Sequence, residues 1–106
     1  MAPTMPNTLD LEALARVGRA LADDTRRRLL VELLGGPGYP SQLAVALGTT
    51  MANVSNHLAC QRGCGLVTAT YEGRHVRYTL SDQRLANALG ELVQLVAGQP
   101  CPVERT

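Results

Sequence analysis

Apolar residues at helical spacing predict two helices in the first third of the chain. A first helix is expected from about residue 9 to 22, in "LDLEALARVGRALAD", where five small or apolar positions share one face. These positions are Leu11, Leu14, Ala15, Gly18 and Leu21. Asp23 or Asp24 can cap a second helix, which ends at the glycine and proline run of residues 35–38. Its apolar face is expected to hold Leu29, Leu30, Leu33 and Leu34.

The next segment, "YPSQLAVALGTTMANVSNHLACQRGCGLV", predicts a helix-turn-helix. A short helix is expected from about residue 40 to 47, followed by a turn at Gly48 and another helix that starts after Thr50. A hydroxyl at Thr49 or Thr50 can accept a hydrogen bond from a free backbone N–H in the first turn of that helix. The positions expected to pack the pair together are Leu43, Leu47, Val54 and Leu58. Two short helices joined by a tight glycine-containing turn are typical of this motif.

Two strand-like runs and a final helix extend this motif to a winged helix. Residues 66–71 and 75–80 are rich in Val, Thr and Tyr, and they flank "EGR", which suits the tip of a β-hairpin. Ser81 or Asp82 can cap a last helix that runs to about Ala97. The predicted fold is therefore mainly α with a β-hairpin, a winged helix-turn-helix with the order α-α-α-α-β-β-α.

The last helix carries more apolar surface than a terminal helix needs in order to cover a small domain. Its apolar positions are Leu85, Leu89, Leu92 and Val96 on one face, widened by Ala88, Val93 and Leu95. Together with the first helix, this surface predicts that the protein is homodimeric.

The size and composition of the chain indicate one globular domain, since it has 106 residues, of which 45% are apolar and 18% are charged. We expect a flexible arm at residues 1–8, a winged-helix DNA-binding and dimerisation domain at 9–97, and a C-terminal tail at 98–106. No run approaches the roughly 20 apolar residues of a membrane span, and the N-terminus lacks a signal-peptide pattern. These features predict a cytoplasmic protein without membrane contact. An enzyme is not expected, because no nucleophile–base constellation, phosphate loop or carboxylate pair stands out.

From about residue 12 to 97 the chain resembles the ArsR/SmtB family of bacterial metal-responsive repressors. The matching stretches are "GRALADDTRRRLLVELL", "QLAVALGTTMANVSNHLACQRGCGLV" and "YEGRHVRYTL", with Asp24 where the family usually has proline. Family members that bind metal on the third helix have a cysteine motif there, which "SQLAVAL" lacks. Members that bind zinc on the last helix use Asp and His pairs, and "SDQRLANALGELVQLV" has no His. The resemblance therefore implies a repressor that uses a third arrangement, with metal-binding cysteines in the recognition helix and the C-terminal tail.

The three cysteines of the chain, Cys60, Cys64 and Cys101, match that arrangement. Positions i and i+4 of a helix lie on one face with Cβ atoms about 5–6 Å apart, so Cys60 and Cys64 could present two sulfurs to one ion. Cys101 could supply a third thiolate, either to its own subunit or to its partner. Three thiolates favour cadmium or lead as the effector, with zinc or arsenite less favoured. The alternative is that these cysteines are small apolar residues without a ligand.

The recognition helix is expected to present its N-terminal polar residues to the major groove, because Val54 and Leu58 face inward. Asn can form two hydrogen bonds with adenine, and Met can contact a thymine methyl group. The candidate DNA-binding residues are Thr50, Met51, Asn53 and Asn56 on this helix, with His57 on phosphate or in a structural role, and Arg74 and Arg77 on the hairpin. A solvated helix face is the alternative. At least one of Arg26, Arg27 and Arg28 is expected to pack against helix ends or Asp23.

These observations predict a dimeric repressor that binds double-stranded operator DNA and leaves it when cadmium or lead binds the three cysteines. Cys60 and Cys64 lie at the C-terminal end of the helix whose N-terminal end is expected to read DNA, so an ion there could tilt or stiffen that helix. Two alternatives use the same sequence features. One is a redox-sensing repressor in which Cys101 forms a disulfide with Cys60 or Cys64. The other is a winged-helix protein that does not respond to metal.

Overall fold

The computed structural model describes residues 10–98, and within them it contains five helices and one two-stranded antiparallel sheet. The elements are α1 (Leu11–Ala22), α2 (Asp24–Leu34), α3 (Pro40–Leu47), α4 (Met51–Gly63), β1 (Val67–Glu72), β2 (His75–Leu80) and α5 (Gln83–Ala97). The predicted order and the winged helix-turn-helix fold are confirmed. The predicted arm at 1–8 and the tail from residue 99 onwards lie outside the described residues.

Side-chain caps mark where four of the five described helices begin, α3 being the exception. Asp23 accepts a hydrogen bond from the Arg26 N–H at 3.0 Å, and Thr50 Oγ1 accepts one from the Asn53 N–H at 3.0 Å. Asp82 caps α5 in the same way, by accepting from the Arg84 N–H at 2.7 Å. Each of these three caps is one of the two alternative capping residues predicted for its helix. α1 begins two residues later than predicted, because Asp10 acts as its cap.

The helix-turn-helix is built as the sequence predicts. α3 ends at Leu47 and is capped by Gly48, whose φ of +69° lies in the left-handed region that favours glycine. The predicted packing positions, which are all buried, are Leu43, Leu47, Val54 and Leu58. Gly38 has a different reason to be glycine, because a Cβ atom there would lie 3.1 Å from the Leu33 and Leu43 side chains. Its backbone also pairs with Tyr78, which ties the α2–α3 connection to the wing.

The wing is an antiparallel hairpin in which Val67 pairs with Leu80 and Glu72 pairs with His75. Gly73 occupies the tip with a φ of +62°. β1 starts one residue later than predicted, at Val67. The reason is that the Leu66 N–H donates to the Gln61 carbonyl at 3.0 Å, so this residue closes the end of α4 before the strand ladder begins.

The core lies between α2, α3, α4 and the base of the wing. Its fully or nearly fully buried members include Leu29, Leu30, Val54 and Leu58. The predicted apolar faces of α1 and α5 behave differently, because most of their side chains remain exposed. These exposed residues are Leu11, Leu14, Leu92, Val93, Leu95 and Val96. Among the described residues, no helix is long and apolar enough to cross a membrane.

Candidate nucleic-acid and metal interface

The N-terminal half of α4 presents the residues predicted to contact DNA. Met51 and Asn56 are exposed, and Val54 faces the core, as the orientation of the helix requires. Asn53 is half-buried, and its side-chain amide donates to Thr49 Oγ1 at 3.1 Å. The Thr50 hydroxyl is engaged as the helix cap. Met51 and Asn56 are therefore the more available side chains of this set.

The two predicted arginines of the wing differ in their surroundings. Arg74 is exposed at the hairpin tip. Arg77 lies 3.0 Å from Glu72 through its Nε, and the Tyr39 hydroxyl donates to the same carboxylate at 2.8 Å. This hydrogen bond to Glu72 raises the pKa of Tyr39. Arg77 is thus paired within the wing, whereas Arg74 points its charge into solvent.

His57 lies beside the start of α2. Its Nδ1 atom is 3.9 Å from the Asp23 carboxylate, and its side chain is 25% exposed. The hydrogen bond from the Arg26 backbone N–H lowers the pKa of Asp23, and the His57 and Arg26 side chains act in the same direction. Two roles were predicted for His57, a phosphate contact and a structural role, and this geometry favours the structural one.

Cys60 and Cys64 lie one helical turn apart at the end of α4. The Cys64 N–H donates to the Cys60 carbonyl at 3.1 Å, so Cys64 caps the last turn of the helix, which includes Cys60. Cys60 is exposed, and Cys64 is half-buried against the core. Cys101 lies outside the described residues. Within residues 10–98, no group of three or more His, Cys, Asp or Glu side chains is arranged to hold a metal ion.

At least one of the three arginines at residues 26–28 was expected to pack against a helix end or Asp23, and two of them do. Arg27 donates to the Leu21 carbonyl at 2.8 Å, at the end of α1. The Arg26 Nε atom lies 3.8 Å from Asp23. Arg26 also contacts a predicted metal ligand, since its Nη1 donates to Cys60 Sγ at 3.6 Å. This last contact was not predicted from the sequence.

Two other residues of α4 were missed by the sequence analysis. Gln61 is fully buried, and its amide donates to the Arg26 carbonyl at 3.1 Å. Its spacing of seven from Val54 and three from Leu58 places it on the buried helix face, so that spacing could have revealed it. Arg62 donates to the Tyr71 hydroxyl at 3.1 Å and thereby links the end of α4 to β1.

A helix-turn-helix with an exposed second helix and a basic-tipped wing defines a DNA-binding regulator of the winged-helix class. The family model described as "Bacterial regulatory protein, arsR family" matches residues 23–69. The chain is 67% identical over 97 residues to the HTH-type transcriptional regulator CmtR of Mycobacterium tuberculosis, covering 88% of this chain and 82% of that protein. The chain belongs to the ArsR family. These matches confirm the resemblance identified from the sequence. The family comprises transcriptional regulators rather than enzymes, as predicted.

Solved structures give the same fold. The NMR structure of the cadmium sensor CmtR from M. tuberculosis matches with a TM-score of 0.67 and 67% identity, covering 87% of this chain and 99% of that chain. A homodimeric winged helix-turn-helix domain of Mb0332 from Mycobacterium bovis matches with a TM-score of 0.74 and 33% identity. The second match covers 89% of this chain and 91% of that chain.

Proposed function

We propose that this protein is a dimeric transcriptional repressor that releases its operator when cadmium or lead binds Cys60, Cys64 and Cys101. The observation that carries the proposal is the placement of two cysteines at the end of the recognition helix, with Cys60 exposed in its last turn and Cys64 half-buried as its C-cap. The 67% identity to a protein described as a cadmium sensor supports the choice of effector. Because such a repressor acts on DNA, its place is the cytoplasm.

The donor set suits a thiophilic ion. Cys60 and Cys64 supply two sulfurs from one helix face, and Cys101 supplies the third. Soft thiolates select soft ions, and three sulfurs without imidazole suit cadmium or lead better than zinc, which takes four ligands in structural sites. Cysteine thiols must lose their protons to bind a metal ion, so metal binding releases protons and becomes tighter as pH rises.

The dimer forms through the exposed apolar faces of α1 and α5. A groove of about 400 Å³ lies between α5 and the end of α1, where it is lined by Leu21, Leu89, Leu92 and Val96. In a two-fold symmetric dimer each subunit contributes one α4, and each α4 would read one half of a pseudo-palindromic operator. The homodimeric domain of Mb0332 supports this assembly.

Metal binding and DNA binding are coupled through α4. Its N-terminal end contacts bases, and its C-terminal end holds the ion, so an ion that fixes the last turn changes the orientation of the first. If metal weakens operator affinity by some factor, DNA weakens metal affinity by the same factor, and such couplings are typically about 5- to 150-fold.

An anaerobic titration of the fully reduced dimer with cadmium tests the metal site. We expect saturation at one ion per subunit, with sulfur-to-cadmium charge-transfer absorption of three-thiolate intensity. Cys60→Ser, Cys64→Ser and Cys101→Ser should each lower that intensity and abolish metal-induced release of operator DNA, while metal-free operator affinity stays unchanged. Ala59→Ser is the matched control, because it adds a hydroxyl to an exposed neighbouring position.

Serine variants that still release DNA on addition of cadmium would contradict the three-cysteine switch. The redox alternative has a separate test, because Cys60 is exposed and therefore accessible to oxidants. Peroxide added to the metal-free complex should leave the protein on its operator. Release by peroxide without metal, reversed by a thiol reductant, would support the redox repressor instead.

A further inference from the structure

Arg26 makes a side-chain contact with Cys60 that the sequence gives no sign of. Its Nη1 atom donates to Cys60 Sγ at 3.6 Å, across 34 positions of the chain. The Arg26 side chain is 24% exposed, so the guanidinium lies between α2 and α4 rather than free in solvent. A cationic donor is thus held against the accessible thiol of the recognition helix.

Two neighbours, Asp23 and Gln61, hold Arg26 in position. Asp23 accepts from its backbone N–H at 3.0 Å and lies 3.8 Å from its Nε atom. Its carbonyl accepts from the amide of Gln61 at 3.1 Å. Since Gln61 is fully buried and directly follows Cys60, the backbone contact and the thiol contact hold the same two segments together. Packed neighbours therefore hold the Arg26 backbone, and the Asp23 carboxylate lies beside its guanidinium, before any ion binds.

We infer that Arg26 is a positioning residue of the metal site, which orients Cys60 Sγ and stabilises it as a metal-bound thiolate. This inference rests on the proposed function. Three thiolates around a divalent ion carry a net charge of −1, and the guanidinium beside Cys60 balances that charge. N–H donors to ligand atoms orient those atoms, and loss of such a partner typically weakens metal binding about 10- to 100-fold. Charge-assisted donors are the stronger kind of hydrogen bond.

Arg26→Met tests the inference, with Arg28→Met as the matched control. Both variants remove one positive charge from the same arginine run, but Arg28 is exposed and is separate from the Cys60 contact. Cadmium affinity, measured by competition with a chelator at fixed pH and salt, should fall at least about tenfold in Arg26→Met. It should change less than about twofold in Arg28→Met. Arg26→Lys, which keeps the charge without the planar donor pair, should show an intermediate loss.

Two further measurements separate positioning from a general effect on folding. The sulfur-to-cadmium charge-transfer band should move to longer wavelength in Arg26→Met, because an N–H donor stabilises the sulfur electrons from which the transition starts. In the metal-free protein, a double-mutant cycle of unfolding with Arg26→Met and Cys60→Ala should be non-additive. The corresponding cycle with Arg28→Met should be additive. Metal-free operator affinity should stay within about twofold of the wild type.

The results of these experiments distinguish failure of the Arg26 role from failure of the proposed metal switch. If the wild type binds cadmium with three-thiolate intensity and Arg26→Met binds equally tightly with an unmoved band, Arg26 has no positioning role and the proposed function stands. If the wild type does not bind cadmium tightly, the proposed metal switch and this inference both fail. An equal loss of affinity in Arg26→Met and Arg28→Met would also overturn the inference, because general charge would then explain it.

Discussion

Leu92→Ala should weaken dimerisation, because Leu92 lies on the exposed apolar face of α5. Its side chain is 51% exposed in the monomer, and its neighbours Val93 and Val96 are 56% and 67% exposed. Full burial of a leucine is worth about 2 kcal/mol, so covering the exposed half is worth about 1 kcal/mol per subunit. Alanine retains part of that contact, and a two-fold interface contains the position twice, which gives a loss of about 1.5 kcal/mol. The dimer dissociation constant should therefore rise about tenfold.

Sedimentation equilibrium over a range of protein concentrations measures this constant directly. Val45→Ala is the control, because Val45 is 83% exposed but lies on α3, away from α1 and α5. We expect Leu92→Ala to weaken operator binding in proportion to the lost dimer, with the α-helical circular dichroism signal unchanged. An unchanged dissociation constant for Leu92→Ala, or an equal effect of Val45→Ala, would refute the assignment of this face to the interface.

Three further predictions concern the core, the wing and the last helix. Leu58→Ala should lower the free energy of unfolding by about 2–5 kcal/mol in urea titrations, because the Leu58 side chain is 0% exposed and its loss leaves a cavity. Arg74→Ala should reduce the slope of log affinity against log salt by about one per subunit without altering sequence preference, if Arg74 contacts phosphate. Hydrogen bonds from the Arg84 side chain and backbone lower the pKa of Asp82 from 3.8 to about 2. The stabilisation that the Asp82 carboxylate contributes is therefore complete above pH 3.8 and is lost as pH falls through about 2. Acid unfolding between these values should therefore be shallower in Asp82→Asn.

The elements of the fold were predictable because their signals are local in sequence. The caps at Asp23, Thr50 and Asp82 each lie within three residues of the N–H group that they accept from. Gly48 marks a turn because its backbone needs a positive φ, and the sequence shows that need directly. The displaced start of β1 was not predictable in this way, since it depends on a hydrogen bond from Leu66 back to α4.

The partners of the candidate metal ligands could not be predicted, because they come from distant segments. Periodicity indicates that Cys60 and Cys64 share a helix face, and the structure places Cys60 in the last turn of α4 and Cys64 at its C-cap. Periodicity does not indicate that Arg26, 34 positions earlier, meets Cys60. A run of three arginines gives the same signal whether its members contact phosphate, a helix end or a thiol. Only the packing of α2 against α4 and α1 assigns Arg26 to Cys60 and Arg27 to the Leu21 carbonyl.

The contacts of α4 connect the proposed metal site at its C-terminal end to the rest of the domain. Gln61 and Cys60 bind this half of the helix to Arg26 on α2, and Arg62 binds it to Tyr71 on β1. The N-terminal half instead exposes Met51 and Asn56. In the proposed switch, a rotation that starts at Cys60 and Cys64 would displace β1 through Arg62 and would also reorient the exposed half of the helix. Because helix and wing are the two elements expected to contact DNA, one ion at this end would misalign both of them together.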